Sequence, residues 1–138
     1  MGLSASIITS EFVCSKELGE FCFSIGGWLV EGGGGGRYGV NNGDTNVWLA
    51  IQSEWMTEML YDQDFDNACA KILCAPPKVV IEMECGRGSK QDSLYVYVAY
   101  MFSKKWNIVL CDIDERILSP AEIEARCAAE CGDLLSGS

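Results

Sequence analysis

The sequence predicts a single α+β domain spanning residues 1–138: an antiparallel or mixed sheet of about five strands packed with about three to four helices. Three observations carry that prediction. Alternating apolar positions recur in residues 45–52 and 78–85, the period of a half-buried strand. Residues 119–131 bear a full helix-start signature above an apolar stripe. Nearly half of the 138 residues are hydrophobic, 49 %, which suits one packed core in a chain of this length and not two.

Taken in order, residues 6–14 read as a first strand, apolar at Ile7, Ile8, Phe12 and Val13. Residues 15–20 read as a turn. Residues 21–31 read as a second strand, broken at Gly26 and Gly27. Five glycines at 32–36 read as a flexible hairpin tip, since no Lys-Ser/Thr follows to make a phosphate loop. Asn42, Gly43 and Asp44 signal a tight turn. In residues 45–52, Val47, Leu49 and Ile51 fall on one face and Trp48 and Ala50 on the other, so this third of the chain reads as an antiparallel meander.

Ser53 is placed to cap a short helix carrying Trp55, Met56, Met59 and Leu60. Phe65, Ala68, Cys69, Ile72 and Leu73 then fall at helical spacing, and Pro76 and Pro77 stop that helix. Residues 78–85 form a strand with Val79, Ile81 and Met83 on one side. Residues 94–102 fit either structure: valine and tyrosine favour a strand, while Leu94, Val98, Met101 and Phe102 make a helical stripe. Residues 106–113 read as a strand. The last helix starts at Ser119-Pro120-Ala121-Glu122, buries Ile123, Cys127 and Cys131, and is stopped by Gly132, with Leu134 or Leu135 folding back.

Charge and composition narrow the function. The net charge is −10, from 20 acidic and 10 basic residues, so binding to nucleic acid is not expected and a basic partner is. Histidine is absent, which removes the commonest general base and transition-metal ligand. Eight cysteines are present without a CxxC pair; several fall in apolar stretches, which predicts reduced, buried thiols in the cytoplasm and no zinc site. No apolar run approaches about 18 residues, so no transmembrane helix is expected. The start, MGLSASIITS, lacks the basic and apolar parts of a secretory signal. Gly2 and Ser6 fit the loose myristoylation pattern, but no basic run accompanies them, so no membrane partner is expected.

Asp62, Asp64 and Asp66 have the opening spacing of a calcium loop, without its glycine or closing glutamate, so no metal is expected there. Asp112, Asp114 and Glu115 end a strand in an acidic cluster suited either to a solvated turn or to contact with a basic protein. The Gly86–Lys90 loop, with Arg87 and Lys90, makes a weak anion nest or a plain turn.

Residues 79–84 (VVIEME), 86–89 (GRGS), an apolar segment ending at Trp106, residues 108–112 (IVLCD) and residues 117–123 (ILSPAEI) together resemble a pattern in small immunity proteins, the antidotes encoded beside bacterial polymorphic and type VI secretion toxins. The resemblance covers about a third of the chain. It implies a helix at 94–102 and a cytoplasmic, non-enzymatic protein with no cofactor. It also implies a cognate toxin as partner, with a basic cleft occluded by an acidic surface. Asp62, Asp64, Asp66, Asp112, Asp114 and Glu115 are then the expected contacts, with Tyr61 and Tyr38 as aromatic anchors. The alternatives are a small enzyme acting on an anionic substrate through Arg87 and Lys90, or a non-catalytic adaptor domain.

Overall fold

The computed structural model describes residues 3–29, 37–42, 45–51, 63–85, 94–112 and 116–130. Seven strands form one sheet: β1 (Leu3–Thr9), β2 (Trp28–Leu29), β3 (Arg37–Asn42), β4 (Thr45–Ile51), β5 (Val79–Cys85), β6 (Ile108–Cys111) and β7 (Ile117–Leu118). Four helices are described: α1 (Ser15–Ser24), α2 (Gln63–Leu73), α3 (Leu94–Ser103) and α4 (Pro120–Glu130). The α+β class is as the sequence predicts, with more strands than expected.

Strand order is β2-β3-β4-β5-β1-β6-β7, and every neighbouring pair is antiparallel. The first strand is therefore central. Ile7 lies opposite Ile81 on one side and Leu110 on the other. Since β5 and β6 both run against β1, they run parallel to each other, and α3 joins them in a β-α-β unit with β1 inserted between its strands. Residues 94–102 are thus helical.

The alternation of β1, β5 and β6 sorts side chains onto two faces. Ala5, Ile7, Val79, Ile81, Met83, Ile108 and Leu110 enter the larger cluster, with Leu18, Phe21 and Cys22 of α1, most of α3, and Ile123 and Cys127 of α4. Ile8, Val80, Val109 and Cys111 face the other way, onto Cys69 and Leu73 of α2. The helix at 65–73 is confirmed, but only part of its predicted stripe is covered: Ala68 and Ile72 remain exposed. Cys74 closes α2 with φ of 61°, the left-handed conformation that commonly ends a helix, and the two prolines follow.

Four sequence expectations are corrected. Residues 15–24 are a helix, not a turn leading into a strand. Leu18, Phe21 and Cys22 stand at i, i+3 and i+4 and are buried together, and Glu17 accepts the Cys14 N–H at 3.2 Å, one half of a capping box. Of the strand expected over 21–31, the described residues keep only Trp28–Leu29 as strand. The first strand stops at Thr9, where the Thr9 hydroxyl accepts the Glu11 N–H at 3.0 Å and turns the chain out. Within the described part of the strand expected over 106–113, Ile108–Cys111 is the strand, because Trp106 belongs to the turn after α3. The short strand β7 was not anticipated. The helix expected near Trp55, the glycine run, Gly43, Asp44, the Gly86–Lys90 loop, Cys131, Gly132, Leu134 and Leu135 all lie outside the described residues.

The start of α4 is as predicted. Glu122 Oε1 accepts the Ser119 N–H at 3.0 Å, and Ser119 Oγ accepts the Glu122 N–H at 3.3 Å. Those hydrogen bonds hold the Glu122 carboxyl below its usual pKa. A lowered folded-state pKa means that this contribution is present above the unfolded value and disappears as pH falls through the folded one. Replacing Ser119 with Ala is expected to lower stability at neutral pH by about 1 kcal/mol, read as a shift in urea midpoint at unchanged slope; no shift would show the cap to be dispensable.

Candidate functional site

Asp112 sits just past β6 and is 5 % exposed, which sets it apart from an acidic contact patch. Its carboxylate accepts the Tyr95 hydroxyl at Oδ1, 2.5 Å away, and Arg126 Nη1 at Oδ2. Arg126 Nη2 also donates to the Tyr95 oxygen at 2.9 Å, and its Nε to Glu130 at 2.8 Å. Arg116 Nη2 lies 3.9 Å from the same Asp112 oxygen. The cluster thus joins α3, the end of β6 and α4. Burial, and then the hydrogen bond to Asp112, pushes the Tyr95 pKa up, so the hydroxyl stays a donor. Burial works against the Arg126 charge, but the Glu130 hydrogen bond, Tyr95 and Asp112 outweigh it and raise its pKa. With every member partnered to another, the geometry is that of an internal tie between elements.

Tyr38 is likewise internal. Its ring is buried among α1 side chains, its hydroxyl donates to the Ser15 carbonyl at 3.2 Å, and Phe23 meets it edge-on at 5.9 Å. A Cβ on Gly19 would come within 2.6 Å of the Tyr38 oxygen, so glycine there is what lets the ring lie against α1. Of the remaining expected contacts, Asp64 is exposed on the first turn of α2. Asp66 is in that helix, but its side chain is not described. Tyr61, Asp62, Asp114 and Glu115 lie outside the described residues. Of the expected acidic contacts, Asp64 and Asp112 are thus the two whose side chains are described.

What the structure does assemble is an apolar edge. Phe23, Trp28 and Leu29 are 55 %, 39 % and 49 % exposed and come from one short stretch. Leu29 pairs across the sheet edge with Tyr38, the ring that Phe23 also meets. Trp28, next along β2, points to the opposite face and lies over Gly39, where an added Cβ would be 2.7 Å from the indole. Beyond Gly39 the same row continues through Trp48 to Glu84, and Arg37 on β3 donates to Glu84 at 3.2 Å. Glu20 is exposed one turn before Phe23. Sequence reasoning missed this edge because it read 21–31 as a strand. The helical spacing of Leu18, Phe21, Cys22 and Ile25 would have left Phe23 outside.

Cys14, Cys22 and Cys74 are free thiols; burial pushes the Cys22 thiol up to about 12, which leaves it a packing residue. Among the described residues no group of three or more His, Cys, Asp or Glu side chains is placed to hold a metal ion, and no helix is long and apolar enough to cross a membrane. Comparison with protein-family models, with curated proteins and with solved structures found no match.

Proposed function

We propose that this chain is a non-catalytic inhibitor, an immunity protein of the bacterial cytoplasm that binds a cognate toxin effector and occludes its basic active-site cleft. The observation that carries the reading is the apolar edge of Phe23, Trp28 and Leu29 on a protein of net charge −10. Exposed aromatic and aliphatic side chains at a sheet edge, here Phe23 and Leu29 on one face and Trp28 on the other, mark protein contacts, where a few such anchors supply most of the binding energy. The net negative charge of the chain steers a basic partner toward it. The resemblance over roughly residues 76–124 supplies the toxin as the class of partner. With Asp112 and Tyr38 engaged internally, the contact set consists of Phe23, Trp28 and Leu29 with the carboxylate of Glu20; Asp64, on α2 across the sheet, and Asp62, Asp66, Asp114, Glu115 and Tyr61 remain candidates from the sequence.

The test is co-expression with the toxin domain encoded directly beside this gene, followed by titration of the purified pair. The intact chain is expected to restore growth and to bind with an affinity that falls as salt rises. Phe23→Ser with Leu29→Ser is expected to weaken binding by at least about 100-fold. Glu20→Lys is expected to slow association and flatten the salt dependence. An intact chain that neither protects cells nor binds the neighbouring toxin would overturn the reading.

A further inference from the structure

The chain is acidic overall, yet its lysines are gathered. Four of them, Lys71, Lys78, Lys104 and Lys105, sit on three separate stretches of sequence and converge at one end of the sheet. The contacts that bring them together are specific. The Lys78 N–H donates to the Thr9 carbonyl at 2.8 Å, which fixes the entry to β5 beside the exit of β1. Thr9 Oγ1 donates to the Asn107 carbonyl at 2.8 Å, and the Asn107 amide donates to the Leu73 carbonyl at 2.8 Å and to Ser10 Oγ at 3.2 Å. Asn107 thus ties the last residue of α2 and the loop after β1 to the turn carrying Lys104 and Lys105. Lys71 lies in the last turn of α2. All four lysines are exposed, and among the described residues none forms an ion pair. Lys104 and Lys105 are held over the rings of Tyr100 and Trp106, each at 4.8 Å. The described arginines are engaged elsewhere, with Glu84 or around Asp112.

Phe12 stands out from the same end. At 76 % it is the most exposed large hydrophobic side chain among the described residues. It projects from the loop after β1, between Glu11, whose carboxylate accepts the Asn107 N–H, and the buried Val13.

We infer that this end of the molecule docks peripherally on an anionic phospholipid surface, with Phe12 entering the headgroup–acyl boundary and the four lysines meeting lipid phosphates. Three features select that occupant. Among the described residues Phe12 is the one strongly projecting aromatic at this end, with Ile72, 36 % exposed, as the other large hydrophobic in the open, which is not the clustered core of a protein interface. Phe12 has the form of a side chain that inserts singly while lysine stems lie along the boundary and their ammonium groups reach the headgroups. The cations are all lysine, point charges suited to a diffuse layer of headgroups, where nucleic-acid recognition favours the forked, stacking guanidinium. The reach of a membrane's field is about a Debye length, roughly 8 Å at physiological salt. The lysine end therefore feels attraction while the acidic remainder stands farther off. Several groups oppose it locally, the carboxylates of Glu11 and of Glu17 at the Cys14 N–H and the carbonyl ends of α2 and α3, so the attachment is weak and reversible. The sequence contains no basic run from which this could be read; the fold builds one from separated lysines. This surface is separate from the apolar edge, and it does not depend on the toxin-binding reading.

Sedimentation of the full chain with phosphatidylglycerol-rich vesicles, and with phosphatidylcholine vesicles alone, tests it. The wild type is expected to partition onto the anionic vesicles at low salt and to leave them at high salt. Phe12→Ser is expected to weaken that partition by about tenfold. Reversing Lys71, Lys78, Lys104 and Lys105 to Glu is expected to abolish it. Circular dichroism checks that each variant keeps its fold, and Phe12→Ser, changed at an exposed position, remains informative if the charge-reversed chain does not fold. No partition onto anionic vesicles would overturn the inference. So would equal partition onto neutral ones, or binding confined to duplex DNA or to an acidic protein.

Discussion

Asp112→Ala is expected to destabilise the protein by about 3–5 kcal/mol, the cost of breaking a buried ion pair by removing one partner. The reasoning turns on what is left behind. Arg126 is only about a quarter exposed at its side chain, 26 %, and loses a charge-assisted partner, while the Tyr95 hydroxyl loses its acceptor. Both are left desolvated without the carboxylate that compensated them. Against a typical total stability of roughly 5–15 kcal/mol, that is a large share. Graded variants separate charge from hydrogen bonding. Tyr95→Phe removes one donor to Asp112 and should cost about 1–3 kcal/mol. Arg126→Met leaves the carboxylate buried with Arg116, 3.9 Å away and 69 % exposed at its side chain, as the only cation within ion-pair distance of it among the described residues. Its cost should approach that of Asp112→Ala. Urea unfolding gives each value from the midpoint at constant slope. A loss below about 1 kcal/mol for Asp112→Ala would show that the cluster does not hold α3 and α4 to the sheet.

That cluster also marks where sequence reading reaches its limit. Asp112 was visible as a carboxylate at a strand end, and Arg126 as one residue on a well-signalled helix. Nothing in their spacing says that α4 turns Arg126 back onto Asp112, because that depends on how the helix packs. The elements whose local chemistry is complete were legible: the capping box at Ser119, the alternation in β4 and β5, and the proline stop after α2. Helix α3 was ambiguous for a physical reason. It is buried on most sides, with Leu94, Tyr95, Val96, Val98, Ala99 and Phe102 all in the core, and a helix apolar all round has no clean face to give it a period. Helix α1 was misread because two adjacent glycines at its exit look like a strand bulge. Gly27 is in fact needed where the chain passes close to Gly39: an added Cβ would meet the Gly39 carbonyl at 2.5 Å. The lysine end is a product of topology. It is built from residues whose neighbours in space are far away in sequence, so sequence alone could show its composition but not its convergence; the apolar edge comes from one short stretch and was hidden by reading that stretch as a strand.

Phe102→Ala is expected to cost about 3–5 kcal/mol, the range for truncating a large aromatic in a packed core. Phe102 is fully buried at the end of α3. Its ring meets Phe21 of α1 edge-on at 4.8 Å and Trp106 at 4.3 Å with a 33° tilt. Phe21 and Trp106 themselves stand 6.0 Å apart, so the three rings close on one another and removing Phe102 takes away two of the three ring contacts. Each aromatic pair carries about 0.5–1.5 kcal/mol beyond its buried area, and that part is lost with the ring. Phe102→Leu keeps most of the volume and should cost less than half as much as Phe102→Ala. The carbonyl of Phe102 accepts the N–H groups of both Lys105 and Trp106 at 3.0 Å, a backbone turn that neither substitution removes. The lysine turn should therefore survive in Phe102→Leu, and vesicle partition with it, even as the urea midpoint falls. A Phe102→Ala protein as stable as wild type would mean that α1 and α3 are held to each other by something other than this aromatic contact.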